Sequence, residues 1–120
     1  MIVDDDAMMR YLMMMIIKDS GMAGIEACNG KQGIERLYAH PNISYVILDL
    51  LMPEYDGYDF YRDLRKTPYF DTVKVFVISG LMESEFLAKI KEFDLDISNM
   101  AQYYQKPVSI KNLIKQLHSN

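Results

Sequence analysis

Two hydrophobic periods alternate along this chain. Short apolar runs at residues 1–3, 25–28, 45–50, 73–78 and 103–105 read as five β-strands, bounded by turn-forming or charged residues. The runs 45–50 and 73–78 are β-branched and nearly continuous, the pattern of strands buried on both faces of a parallel sheet. Between the strands, apolar positions recur at helical spacing over residues 7–18, 32–39, 58–65, 83–93 and 110–118. The first helix should bury Met9, Leu12, Met13, Ile16 and Ile17, with Asp6 as its N-cap and Gly21 at its end. Ile34, Leu37 and Tyr38 supply the apolar face of the second helix, and Ile110, Leu113, Ile114 and Leu117 that of the fifth. Asn29 and Gly30 close the second strand, and Pro53 and Gly57 punctuate the loop after the third. Gly57 is expected to hold a positive φ, and Gly80 to let backbone approach closely.

Five strand–helix alternations predict an α/β fold, a doubly wound parallel sheet with helices on both faces and right-handed crossovers, in one domain covering residues 1–120. In such sheets ligands sit beyond the carboxyl ends of the strands. Four chemical groups fall there: Asp4, Asp5 and Asp6 after the first strand, Asp49 in VILDLLMP, Ser79 in VFVISG and Lys106 in YYQKPV. Carboxylates, a hydroxyl and an ammonium at one sheet edge suit Mg²⁺ and a phosphoryl group. The carboxylates can hold the ion, one can accept the phosphoryl, and Ser79 and Lys106 can bind its oxygens. Each group also has a plain structural reading: acids at a helix N-terminus, a strand-end turn, a serine ending a strand, a surface lysine. Asp6 fits the cap alone. Convergence of the other residues at one edge favours the chemical reading, since a carboxylate inside VILDLL is costly to bury without partners.

Composition narrows the picture. The 120 residues are half hydrophobic and a quarter charged, enough for a packed core. The net charge of −4 argues against direct nucleic-acid binding. Cys28 is the only cysteine, so no internal disulfide forms and a cytoplasmic location is expected. No apolar run is long enough to insert in a membrane, and the first residues do not read as a signal peptide. Cys28, His40 and His118 lack metal-site spacing. Of the ten methionines, Met8, Met14 and Met15 fall off the core stripe of the first helix together with Tyr11. They read either as incidental surface or as an adaptable partner surface.

Taken together, IVDDD, ILDLLMPEYDG, VFVISG and QKPV resemble, in order and spacing, the receiver domain of two-component response regulators over essentially the whole chain. The resemblance implies a flavodoxin-like (βα)5 sheet of order 2-1-3-4-5. It makes Asp49 the phosphoacceptor, Asp4 and Asp5 the Mg²⁺-binding pair and the Leu51 backbone carbonyl a further ligand. Ser79 and Tyr103 match the switch positions, and phosphorylation is expected to draw Ser79 toward the phosphoryl and let Tyr103 turn inward. Lys106 matches the lysine that precedes a cis proline, here Pro107. The partner would be a sensor histidine kinase or a histidine phosphotransfer protein, docked in part by Met8, Tyr11 and Met15; a phosphorylation-linked dimer is left open. Two departures stand out. KEFDLDISNMAQYY, between the fourth helix and fifth strand, is longer than usual and lacks the common Gly-Ala turn. Leu51 and Leu81 put apolar residues where a polar one could orient an attacking water, which implies a long-lived aspartyl phosphate. Two rivals are a haloacid-dehalogenase-like Mg²⁺-dependent phosphatase and an interaction module that is not phosphorylated. The first has a D-x-D spacing at Asp4 and Asp6 but lacks the Gly or Thr its loop needs; the complete residue set argues against the second.

Overall fold

The computed structural model describes residues 1–52 and 55–119, so the expected role of Pro53 lies outside the described residues. Among the described residues five strands, β1 (Ile2–Val3), β2 (Glu26–Ala27), β3 (Tyr45–Asp49), β4 (Lys74–Ser79) and β5 (Met100–Gln105), alternate with five α-helices, and a 3-10 turn at Pro68–Phe70 precedes β4. The helices are α1 (Ala7–Asp19), α2 (Gly30–Ala39), α3 (Gly57–Arg65), α4 (Glu83–Glu92) and α5 (Ile110–Ser119). All strand pairs are parallel, and the sheet order is β2-β1-β3-β4-β5, as the resemblance implied.

Alternation along the strands builds two cores. Val3, Val46, Leu48, Val75 and Val77 pack with Leu37, Phe60, Leu64 and Phe86 beneath α2, α3 and α4. Their neighbours Ile2, Ile47, Phe76 and Ile78 point the other way, to Met13 and Ile17 of α1 and Leu113, Ile114 and Leu117 of α5. Burial of both faces is why β3 and β4 read as nearly continuous apolar runs.

Several local expectations change. Leu12 is 43% exposed, while Met14 is half-buried and packs against the α1–α5 core. A Cβ at Gly24 would come within 2.8 Å of the Met14 sulfur, so the thioether occupies space that the glycine leaves. Tyr38 is exposed and meets Phe70 edge-on at 5.1 Å rather than entering the core. Positive φ occurs at Gly21 (85°) and Asp94 (51°) but not at Gly57, which opens α3. Gly57 is needed for space: a Cβ there would lie 2.6 Å from Leu50 Cα and 2.8 Å from the Asp49 carbonyl oxygen. Gly80, by contrast, has nothing within 4 Å of an added Cβ, so it permits no close approach.

The long segment before β5 also resolves into structure. Strand β5 begins at Met100, three residues earlier than expected, and the irregular register between Val75 and Phe76 lets Val75 face Met100 and Phe76 face Gln102. Just before the strand, the Asn99 amide donates to the carbonyls of Phe70, Asp71 and Val73 at 3.3, 3.1 and 2.7 Å. Its carbonyl oxygen accepts from Arg65, which also binds Asp96 at 2.7 Å. The segment is therefore stapled to the end of α3 and the start of β4.

Candidate functional site

Register brings the candidate groups together. Val3 pairs with Leu48, so Asp4 and Asp49 follow side by side at the ends of β1 and β3. Asp49 pairs with Ile78, and Ser79 is the next residue on β4. The Lys106 amide donates to the Ser79 carbonyl at 2.7 Å, tying the end of β5 to the same edge. The Lys106–Pro107 peptide is cis. Crowding at Gly57 holds α3 against the end of β3, and the Gly57 amide donates to Leu50 at 2.9 Å.

Asp4 is 2% and Asp49 7% exposed. One carboxylate oxygen from each of Asp4, Asp5 and Asp49 lies within 4.8 Å of the others. Burial raises the Asp4 carboxyl above its ordinary range, against the pull of the Asp6 amide and the Lys106 charge. Burial likewise pushes Asp49 up to about 6, helped by the Asp4 charge and opposed by Lys106 and the Leu51 amide. Lys106 Nζ stands 3.7 Å from Asp49 Oδ2, and the Leu51 amide donates to Oδ1 at 3.3 Å. One ammonium does not offset three crowded acids, and the donor set is all hard oxygen, so these residues fit a divalent cation such as Mg²⁺. Asp6 stands apart: its side chain caps α1, accepting from Met8 and Met9 at 2.9 and 3.3 Å. That commitment removes it from the D-x-D arrangement of the phosphatase alternative.

Ser79 is fully buried, and its Oγ accepts from the Leu81 amide at 3.1 Å. The Leu81 carbonyl in turn accepts from the Tyr103 hydroxyl. Tyr103 is already buried, its ring stacked on Phe86 at 4.6 Å, so the inward position expected on phosphorylation is occupied here. Leu51 is 56% exposed beside Asp49. Met8, Tyr11 and Met15 are exposed on α1, and Met14 is not part of that surface. Arg10 was missed in the sequence, although a lone cation one turn beyond an acidic cluster was a usable signal. Its guanidinium reaches back to the Asp4 carbonyl.

A flavodoxin-like sheet with acids, a serine and a lysine at its carboxyl edge defines a class of small α/β domains built for phosphoryl and cation chemistry. The family model for the response regulator receiver domain matches residues 1–118, and the chain belongs to that family, the phosphoryl-accepting receivers of two-component signalling. It is similar to a probable transcriptional regulator ycf27 of Cyanidium caldarium, 27% identical over 99% of this chain and 44% of that protein. It is also similar to the sensor histidine kinase CheAY of Helicobacter pylori, 30% identical over 89% of this chain and 13% of that protein. The chain thus spans less than half the length of either relative. Among solved structures, the Francisella response regulator 1452 receiver domain superposes with TM-score 0.78 at 27% identity, covering 98% of this chain and 91% of the other. A response regulator receiver protein from Pseudomonas putida, at 22% identity, supports the fold with TM-score 0.84 over 99% of this chain and 93% of the other.

Proposed function

We propose that Asp49 accepts a phosphoryl group from a phosphohistidine of a sensor histidine kinase or a histidine phosphotransfer protein. The observation that carries this reading is the cation-poor cluster of buried Asp4 and Asp49 with exposed Asp5 beside Lys106. A carboxylate oxygen of Asp49 attacks phosphorus, the P–N bond to the donor histidine breaks, and the imidazole leaves with that electron pair and takes up a proton. Mg²⁺, held by Asp4, Asp5, Asp49 and the Leu51 carbonyl, would neutralise charge on the phosphoryl oxygens. Lys106 gives a fixed positive charge on the same oxygens, and Ser79 gives a hydroxyl donor. Asp49 must be deprotonated to attack, which a carboxyl near 6 allows at neutral pH. The domain assists its own phosphorylation and dephosphorylation rather than turning over a separate substrate.

Leu81 links site to surface, because its peptide is bonded to Ser79 on one side and Tyr103 on the other. When Ser79 turns its hydroxyl to a phosphoryl oxygen, that link shifts α4 through the Tyr103–Phe86 stack. A cytoplasmic location follows from this partner class; no helix among the described residues is long and apolar enough to cross a membrane.

Labelling by acetyl phosphate should stop on chelation with EDTA and return on adding Mg²⁺. Labelling that persists without a divalent ion contradicts the reading, and steady turnover of a small phosphate ester would favour the phosphatase instead. Met8, Tyr11 and Met15 form the donor-docking surface in this account, since α1 starts at the acidic cluster. Met8→Glu should slow transfer from the cognate protein on the order of tenfold while leaving acetyl phosphate labelling intact. Equal losses with both donors would show damage to the site and remove the docking role.

A further inference from the structure

Arg10 belongs to α1, yet its side chain turns back to the end of β1. Its Nη1 donates to the Asp4 backbone carbonyl at 2.7 Å, and its Nε donates to Glu26 Oε1 of β2 at 3.1 Å. The arginine side chain is 15% exposed and that of Glu26 50% exposed. We propose that Arg10 is a positioning residue for the Asp4–Asp5 pair, orienting the peptide between them so that both carboxylates face the cation. The inference rests on the cation-site reading above.

Asp4 is held at three atoms. Its amide donates to the Ala27 carbonyl at 3.1 Å, its Oδ1 accepts from the Asp6 amide at 2.9 Å, and its carbonyl accepts from Arg10. Asp5 is exposed, and its direction is inherited through the planar peptide that carries the Asp4 carbonyl. A charge-assisted hydrogen bond on that carbonyl fixes the plane more firmly than a neutral one. The planar guanidinium serves the carbonyl and Glu26 at once, which the point charge of a lysine does less well.

Charge alone predicts the opposite sign. A guanidinium near the acids repels an incoming dication, so if electrostatics ruled, its removal would tighten Mg²⁺ binding. Glu26 offsets that repulsion and leaves aim as the larger effect. Mg²⁺ affinity can be read directly from the backbone amide shifts of Asp5 and Leu51 during titration, with metal-free thermal denaturation in parallel. Arg10→Gln should weaken Mg²⁺ binding on the order of tenfold, the range seen for partners that orient metal ligands. Arg10→Lys, which keeps the charge, should weaken it about threefold. Glu26→Gln should weaken it about twofold, and only at low ionic strength. Unchanged or tighter binding in Arg10→Gln overturns the proposal, as does wild-type affinity in Arg10→Lys, which decides the matter if the glutamine variant does not fold. A wild-type protein that binds no Mg²⁺ overturns the cation-site reading itself, and that result is obtained before any variant is made.

Discussion

Asn99, at the amino-terminal end of the sheet, is as deeply buried as Asp49 at the carboxyl end, but the two are treated in opposite ways. The Asn99 side chain meets three carbonyls and Arg65. Asp49 faces Asp4 and Asp5 with a single ammonium 3.7 Å away. Buried polar groups with full sets of partners stabilise a fold, whereas groups left short of partners cost stability. The first end is therefore organised for structure. The second holds unfavourable charge that a divalent cation can relieve, as functional sites do.

The contrast can be broken at either end. The largest effect is expected for Asn99→Ala, which removes an amide shared by three carbonyls and a partner of Arg65. It should destabilise the protein by about 3 kcal/mol in denaturant titration without impairing Mg²⁺ binding. A loss below about 1 kcal/mol would mean that water replaces the amide, and the contrast would fail.

Asp49→Asn should act in the other direction. The folded Asp49 carboxyl is raised from 3.8 to about 6, so between those values the folded protein keeps a proton that the unfolded chain has released. Stability from this group therefore falls as pH rises through that window and stays low above it. At pH 7 without Mg²⁺ the asparagine variant should be more stable, on the order of 2 kcal/mol, with the gain vanishing near pH 4. Saturating Mg²⁺ should restore the wild type and leave the variant nearly unmoved. A variant less stable than wild type at pH 7 would show that the acid cluster is not strained.

A smaller effect concerns the phosphorylated form. Leu51 and Leu81 cannot hydrogen-bond a water in line with phosphorus, so phospho-Asp49 should be long-lived. Decay should quicken on the order of tenfold, about 1.4 kcal/mol, in the Leu51→Asn, Leu81→Glu double variant. Unchanged or slower decay, followed by intact mass, would remove the shielding role.

The carboxyl end was legible in the sequence because its residues interrupt apolar runs: Asp49 in VILDLL and Ser79 after VFVI have no reason to be there on packing grounds alone. The amino-terminal end was not. Met100, Ala101 and Gln102 carry no strand pattern; pairing with β4 and the register shift make them a strand. Gly57 announced a special backbone position, but its cause is crowding by Leu50 and Asp49 across space, which no local pattern records. Leu12 and Met14 traded places because the space over Gly24, not helical spacing, decides which side chain is covered.

The most direct test of the central claim is intact-mass measurement after incubation with Mg²⁺ and acetyl phosphate, on the wild type and on Asp49→Ala. The wild type should gain one phosphoryl group and the variant none. Equal labelling of both proteins, or labelling of neither, would contradict the claim.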